Sequence, residues 1–369
     1  MKEKLVLACE IGSSCLRAMV AGRGINNTFK VKGYKEVEYD GFYEGEFLSK
    51  TKLPSVFEKL MSDLEIKGEK IDKIYFGVPA EFSSVMVTEE TINFGSKRKV
   101  KQEDIDQLYY MAGEKSKSGE VEVISVSPIS FTIDGFNSLK PVGEKGAMIC
   151  AKLSVVYADR KFIELFNNIS EGLGFHTVEY ISEPLAQAQF IIPKERREEV
   201  SLLLDGGDLT TSISFVKGEG LTSLTSFSRG GGFITNDLSE AFELTIGEAD
   251  RLKKQIVLSL KGGQNDCYEL MTDQGKVTRI LLNFANEVVA FRIDELAEVI
   301  SKCVQMTSNQ FQTFLPIYLT GGGISKIKGG RDYLAKCLGR NISYGVPNIP
   351  GKDKPELASI YSLVNSALK

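Results

Sequence analysis

At 369 residues the chain exceeds what one ordinary hydrophobic core holds, so roughly two or three domains are expected. A 42% hydrophobic and 25% charged composition is that of a soluble globular protein, and a net charge of −4 gives no electrostatic footing for nucleic acid. Six cysteines without a CxxC pair, a single histidine (His176), no apolar run near the ~20 residues of a membrane span and no signal-peptide pattern point to a reduced, cytoplasmic protein without a Cys/His metal site.

In chain order, the first feature is "LVLACEIGSSCLRAMVAG", Leu5 to Gly22: an apolar strand, an acid (Glu10), Gly12, two hydroxyls (Ser13, Ser14) and a second strand. The spacing of "PSVFEKLMSDLEI" predicts a helix, "KIYFGV" a strand covered on both faces, and "DIDQLYYMAGEK" another helix. Between the last two lies "SKRKVK", Ser96 to Lys101, a basic run of the kind that decorates a solvated loop. In "ISEPLAQAQFII", Glu183 precedes a proline at a predicted helix start, where it serves either as a capping acid or as a carboxylate that orients an attacking water. The polar "PKERREEV", Pro193 to Val200, marks a crossing to the second half of the chain.

That half opens on "LLLDGGDLTTSISF", Leu202 to Phe215, which repeats the first hairpin: Asp205 matches Glu10 and Gly207 matches Gly12. A plain two-residue hairpin needs only one Asn-Gly or Asp-Gly pair. A concave turn of backbone N–H groups and hydroxyls suits phosphate oxygens, and the acid before it suits a hydrated Mg²⁺; a loose surface hairpin is the alternative. Gly230 to Gly232 introduce a helix, and on the next one Asp250 and Lys253 share a face, fit either for a ribose and an adenine edge or for a surface ion pair. "IYLTGGGISKIKGG" brings a strand to Gly321, Gly322 and Gly323 ahead of a helix expected near Ile327, whose N-terminus would favour an anion. Strand and helix alternation throughout predicts α/β layers. At the end, Ile360, Leu363, Val364 and Leu368 form an apolar stripe that reads as a core-packing face.

The order of phosphate hairpin, Glu-Pro helix, second hairpin and strand with Gly-Gly-Gly resembles the actin, Hsp70 and sugar kinase superfamily, and within it the FtsA family. The stretch from Phe131 to Ala158, with Asp134, Gly135, Pro141, Val142, Gly143 and Leu153, is similar to the subdomain that FtsA carries as an insertion; "GGFITNDLSEAF" and "EADRLKKQ" resemble its second lobe. The resemblance implies a two-lobed actin-like (duplicated ribonuclease H-like) fold. Residues 1–83, 160–199 and 349–369 would form the first lobe (1A), 84–159 the inserted subdomain (1C), and 200–348 the second lobe (2A), with an outer part (2B) near 231–302. It implies ATP and Mg²⁺ as cofactors and at most slow hydrolysis. The expected nucleotide contacts are Gly12, Ser13, Ser14, Arg17, Gly207, Asp208, Thr210, Thr211, Gly231, Gly232, Asp250, Lys253 and Gly321 to Gly323; Glu10 and Asp205 would hold the metal through water, with Glu183 catalytic.

As partners the resemblance implies further copies of the chain in a filament and the C-terminal peptide of FtsZ or another short peptide. The membrane would be reached from its inner face, through a tail beyond the last helix or through a partner. Two departures stand out: Glu10 replaces an Asp and reaches about one methylene further, and Asp208 replaces a turn glycine and would face the terminal phosphates. A PilM-like peptide-binding adaptor, favoured by "FGVPAEFSSVMV", and a small-molecule kinase remain alternatives.

Overall fold

The computed structural model describes residues 5–24, 28–64, 71, 73–115, 119–307, 315–349 and 351–369. Strand β1 (Leu5–Ile11) is apolar throughout because both its faces are covered: Leu7, Cys9 and Ile11 enter one core cluster, Val6 and Ala8 another. It turns into β2 (Cys15–Arg23) in an antiparallel register that sets Glu10 opposite Arg17, and β3 (Phe29–Glu38) forms the outer edge. A short hairpin of β4 (Phe42–Tyr43) and β5 (Glu46–Phe47) leads to α1 (Leu53–Ser62), which starts with a proline in its first turn and buries Leu53, Phe57 and Leu60. Strand β6 (Lys73–Val78) then returns parallel to β1.

Here the chain leaves the lobe. Strands β7 (Ser83–Lys99), β8 (Val121–Ile133), β9 (Phe136–Ser138) and β10 (Lys145–Asp159) form an antiparallel sheet in the order β7-β10-β8-β9. Helix α2 (Gln102–Lys115) closes a separate core there, with Ile105 and Leu108 packed with Ile149, Ala151 and Leu153. The return helix α3 (Arg160–Gly172) is capped by Asp159, whose carboxylate accepts the Lys161 and Phe162 N–H groups at 2.7 and 3.3 Å. Its Phe162 and Phe166, ring centroids 4.4 Å apart, complete a phenylalanine-rich core with Phe57 and Phe76. Strand β11 (Thr177–Ser182) and helix α4 (Glu183–Ile191) finish this half, whose sheet runs β11-β6-β1-β2-β3.

The second half repeats the plan. Strands β12 (Ser201–Gly206), β13 (Thr211–Lys217) and β14 (Gly220–Phe227) form an antiparallel meander. Helices α5 (Gly231–Phe242) and α6 (Ile246–Gln255), a hairpin of β15 (Cys267–Met271) and β16 (Val277–Leu281), and the long α7 (Leu282–Thr307) follow. Strand β17 (Ile317–Thr320), helix α8 (Gly330–Leu338) and strand β18 (Ile342–Tyr344) close a sheet ordered β14-β13-β12-β17-β18. Outward from the acid-bearing strand, β1 or β12, each sheet has two successive antiparallel pairings on one side and two successive parallel pairings on the other. The internal duplication read from two short hairpins is therefore a duplication of whole sheets.

Helix α9 (Ala358–Ala367) lies against α4 and the Val6–Ala8 face of β1. Ile360, Leu363, Val364 and Leu368 are all buried, so the terminal stripe is a core face, as its spacing predicts. Truncating the fully buried Leu363 to alanine removes packing from α9 and from the glycine-floored β6 beside it. Leu363→Ala is expected to cost about 2–5 kcal/mol, visible as a lowered thermal midpoint; an unchanged midpoint would mean that α9 is not integral to the first lobe.

Candidate functional site

The two hairpins face each other across a cleft of about 700 Å³. They touch directly: the Leu209 N–H donates to Ser13 Oγ at 3.0 Å, which spends the Ser13 hydroxyl on joining the halves. The cleft is lined by Gly12, Ser13, Ser14 and Arg17 from the first hairpin, Gly207, Asp208 and Thr210 from the second, Gly232, Asp250 and Lys253 from α5 and α6, and Gly321 to Gly323 after β17. Thr211 and Gly231 stand behind this wall. The Thr211 hydroxyl donates to the Arg229 carbonyl at 2.5 Å, and a Cβ on Gly231 would sit 2.5 Å from Gly323 Cα, so Gly231 is a close-packing contact between the α5 start and the Gly-Gly-Gly turn.

Several of the glycine N–H groups are already used within the protein. The Gly207 N–H donates to Thr210 O at 2.9 Å, Gly231 to Gly207 O at 3.0 Å, Gly232 to Asp208 O at 2.8 Å and Gly323 to Gly206 O at 2.7 Å. The N–H groups of Ser14, Asp208 and Gly322 have no protein acceptor among the described residues and remain available to an anion. The helix expected near Ile327 begins at Gly330 instead: Ile327 donates to Ile324 O and Gly329 is left-handed at φ 80°, so a turn, and not a helix N-terminus, follows the three glycines. Lys253 turns inward, its ammonium donating to Gly231 O at 3.0 Å and Thr235 Oγ1 at 2.6 Å, while Asp250 is shared by Lys253 at 3.4 Å and Lys254 at 2.5 Å.

The floor of the cleft holds three carboxyl groups. Glu183 is not the cap of α4, because the Ser182 hydroxyl takes that place by accepting the Leu185 N–H at 3.4 Å. Its own Oε1 accepts the Ile11 N–H at 3.1 Å, which ties α4 to the end of β1. Gly77 makes room for it: a Cβ there would lie 2.3 Å from Glu183 Oε1. Asp205 accepts from the Gln187 amide at 2.8 Å. Glu10 Oε1 takes the Arg17 guanidinium at 2.6 Å, and Arg17 Nε reaches on to Glu36 at 2.6 Å; Glu10 Oε2 is buried without a partner.

Burial raises all three; Asp205 adds to the rise of Glu10, and both add to that of Glu183. The Glu10 carboxyl is pushed up to about 7, first by burial and against the pull of Arg17, with Asp205 adding to the rise. Glu183 lies well above the usual carboxylate range through burial and the neighbouring Glu10, and Asp205 is raised by burial despite the Gln187 hydrogen bond. Nine acidic side chains against four basic ones line the cleft, so a polyphosphate entering it needs added positive charge. Among the described residues no group of three or more acidic, Cys or His side chains is arranged to hold a metal ion, and Glu10 Oε2 is buried here without a partner.

Gln187 and Lys326 were not singled out by sequence reasoning. Gln187 sits four residues after Glu183, hence on the same face of α4, a spacing that could have revealed it. Lys326, three residues beyond the glycines, lines the cleft near Glu356 at 3.8 Å and lacks a distinguishing pattern.

Residues 202–362 match the family model described as cell division protein FtsA, and residues 83–157 match that of the SHS2 domain inserted in FtsA. The cell division protein FtsA of Enterococcus hirae is 24% identical over 381 residues, covering 99% of this chain and 83% of that protein. Its counterpart in Bacillus subtilis (strain 168) is 21% identical over 374 residues, covering 99% and 84%. Among solved structures, the PilM-PilN type IV pilus biogenesis complex aligns with a TM-score of 0.66 at 16% identity over 99% of this chain and 98% of that one. MreB5 of Spiroplasma citri bound to AMPPNP aligns at 0.57 and 10% identity, covering 98% and 95%. These structural likenesses show an actin-like fold.

The Glu10 shift fixes a sign for pH dependence. The folded chain keeps this proton up to about pH 7, whereas the unfolded chain releases it near 4.5, so the native state binds more protons between those values and stability falls as pH rises. Metal-free protein should lose on the order of 3 kcal/mol at most through this group. Glu10→Gln is expected to gain thermal midpoint over the wild type more at pH 8 than at pH 5; parallel melting curves at both would contradict the shift.

Proposed function

The chain is a member of the actin-like ATPase superfamily of the FtsA type, and on that premise we propose that it binds ATP between its lobes, assembles with further copies of itself and connects the FtsZ ring to the membrane. The observation that carries the ATP reading is the pair of matched hairpins, joined through Ser13 and Leu209 over a floor of carboxyl groups. In this reading the terminal phosphates lie against the unpaired N–H groups of Ser14, Asp208 and Gly322, with the base toward Asp250 and Lys254. Thr211 and Gly231 from behind the wall, and Lys253 from within it, hold the α5 start in place.

Glu10 Oε2 and Asp205 would hold Mg²⁺, which when bound supplies the positive charge that this acidic cleft lacks. Arg17 offsets Glu10 and keeps that carboxylate oriented, and Gln187 does the same for Asp205. Glu183, held by the Ile11 N–H, would orient a water. Burial and the neighbouring Glu10 raise its proton affinity, which makes it a weaker anion than an ordinary carboxylate and supports slow turnover and a nucleotide that serves chiefly to hold the lobes together. The likeness to MreB5 bound to AMPPNP is in keeping with this reading. The PilM-like alternative draws on the PilM-PilN likeness; a pulldown recovering the FtsZ tail supports the division role, and recovery of a pilus membrane protein opposes it.

A ligand bound only by the folded state adds about 2.7 kcal/mol at a hundredfold excess over its dissociation constant. ATP with Mg²⁺ at millimolar concentration should therefore raise the melting temperature; no shift would overturn the nucleotide reading. Asp208 Oδ1 lies 3.2 Å from where a Gly232 Cβ would stand, so its charge sits at the first turn of α5, a place that would otherwise favour phosphate. Asp208→Gly should tighten ATP binding several-fold by removing this repulsion; unchanged affinity across a Mg²⁺ series would show that the carboxylate does not face the phosphates, and weaker binding would assign it to the metal.

A further inference from the structure

The far end of the inserted sheet gathers features that the cleft does not explain. Strands β8 and β10, 13 and 15 residues long, meet the second lobe midway, where the Glu219 and Leu221 N–H groups donate to Pro128 O and Ser154 Oγ, and run on for about 30 Å beyond that contact along β10. Phe136 is 78% exposed and Leu139 is 87% exposed, with Val142 and Met148 beside them at 49% and 37%. Their backbone is tightly built: Asp134 Oδ1 accepts the Ala147 and Met148 N–H groups at 2.9 and 3.0 Å, and the Val100 and Gly143 backbones are cross-bonded around the Glu144 carbonyl. The apolar side chains therefore project from an ordered end.

The same end is basic. Residues 94–101 and 131–148 contain six basic and two acidic side chains in a chain whose net charge is −4. Of the acids, Asp134 is taken up by its backbone bonds and Glu144 accepts the Ser138 hydroxyl at 2.7 Å. Arg98 is paired with Asp104 at 2.7 Å, and Glu103 and Asp106 stand on the neighbouring helix α2. Lys97, Lys99, Lys101, Lys140 and Lys145 are exposed and have no ion-pair partner among the described residues. Lys145 lies directly across the ladder from Lys99, a like-charge pair that weakens the sheet unless anions meet it.

We propose that the end of the inserted sheet docks on an anionic lipid surface, Phe136 and Leu139 entering the headgroup boundary while the surrounding lysines meet lipid phosphates. Exposed apolar side chains ringed by lysine suit such an interface, and each basic residue near an anionic leaflet strengthens association about fivefold. This contact uses the chain's own folded body and needs neither nucleotide nor a division partner.

The chain contains no tryptophan, so F136W provides a single local reporter. In the full chain without nucleotide, its emission should shift to the blue with phosphatidylcholine vesicles that contain phosphatidylglycerol, and not with phosphatidylcholine alone. Lys99→Glu with Lys145→Glu should weaken the response tenfold or more, as should high salt. In the otherwise native chain, Leu139→Ser should lower co-sedimentation with the same vesicles several-fold while leaving the thermal midpoint unchanged. No blue shift with anionic vesicles, an equal shift with neutral ones, or a shift that grows with protein concentration in the absence of lipid would overturn the proposal, the last by assigning this end to contact between copies.

Discussion

Glu10, Glu183 and Asp205 are brought together where the two sheets meet, and the cleft is arranged around the cost of keeping three carboxyl groups there. A carboxylate removed from water is unstable unless it is paired, hydrogen-bonded or protonated. All three remedies are present: Arg17 pairs Glu10, the Gln187 amide and the Ile11 N–H bond Asp205 and Glu183, and raised proton affinity takes up the remainder. One oxygen, Glu10 Oε2, is left over. A site built on such a floor responds strongly to any cation that enters it.

The duplicated sheets supply the geometry for this. Each places its acid at the end of a strand buried on both faces, so neither acid can retreat into solvent without unpacking a lobe. The second register differs in one telling way: Asp205 lies opposite Ser212, where Glu10 lies opposite Arg17. Only the first half brings its own counter-charge, and Arg17 extends that charge to Glu36 on the edge strand β3. The long Glu10 side chain and the long Arg17 side chain form a matched pair, which accounts for a glutamate where the family resemblance leads one to expect aspartate.

The inserted sheet follows a different physical logic. It has its own core under α2, contacts the rest through β14 and the ends of its strands, and exposes its apolar and basic residues at the opposite end. Exposed phenylalanine and leucine side chains together on an ordered turn are unusual on a folded surface and mark a place of contact.

Much of this molecule is written in local patterns. The acid-to-glycine spacing of the two hairpins, the both-face burial of their strands and the terminal stripe at Ile360, Leu363, Val364 and Leu368 follow from neighbouring residues, because strand and helix periodicity decides which side chains share a face. Direction across the cleft is not local. Whether Lys253 points to solvent or to Gly231 and whether Glu183 caps its helix or reaches Ile11 depend on residues 18 to 172 positions away. The helix start displaced from Ile327 to Gly330 has the same origin, since the Gly323 N–H is drawn to Gly206 across the sheet before a helical turn can form. Sequence determined which chemistry each half carries; the tertiary structure alone decided which of those groups spend their hydrogen bonds on the protein and which remain to meet a ligand.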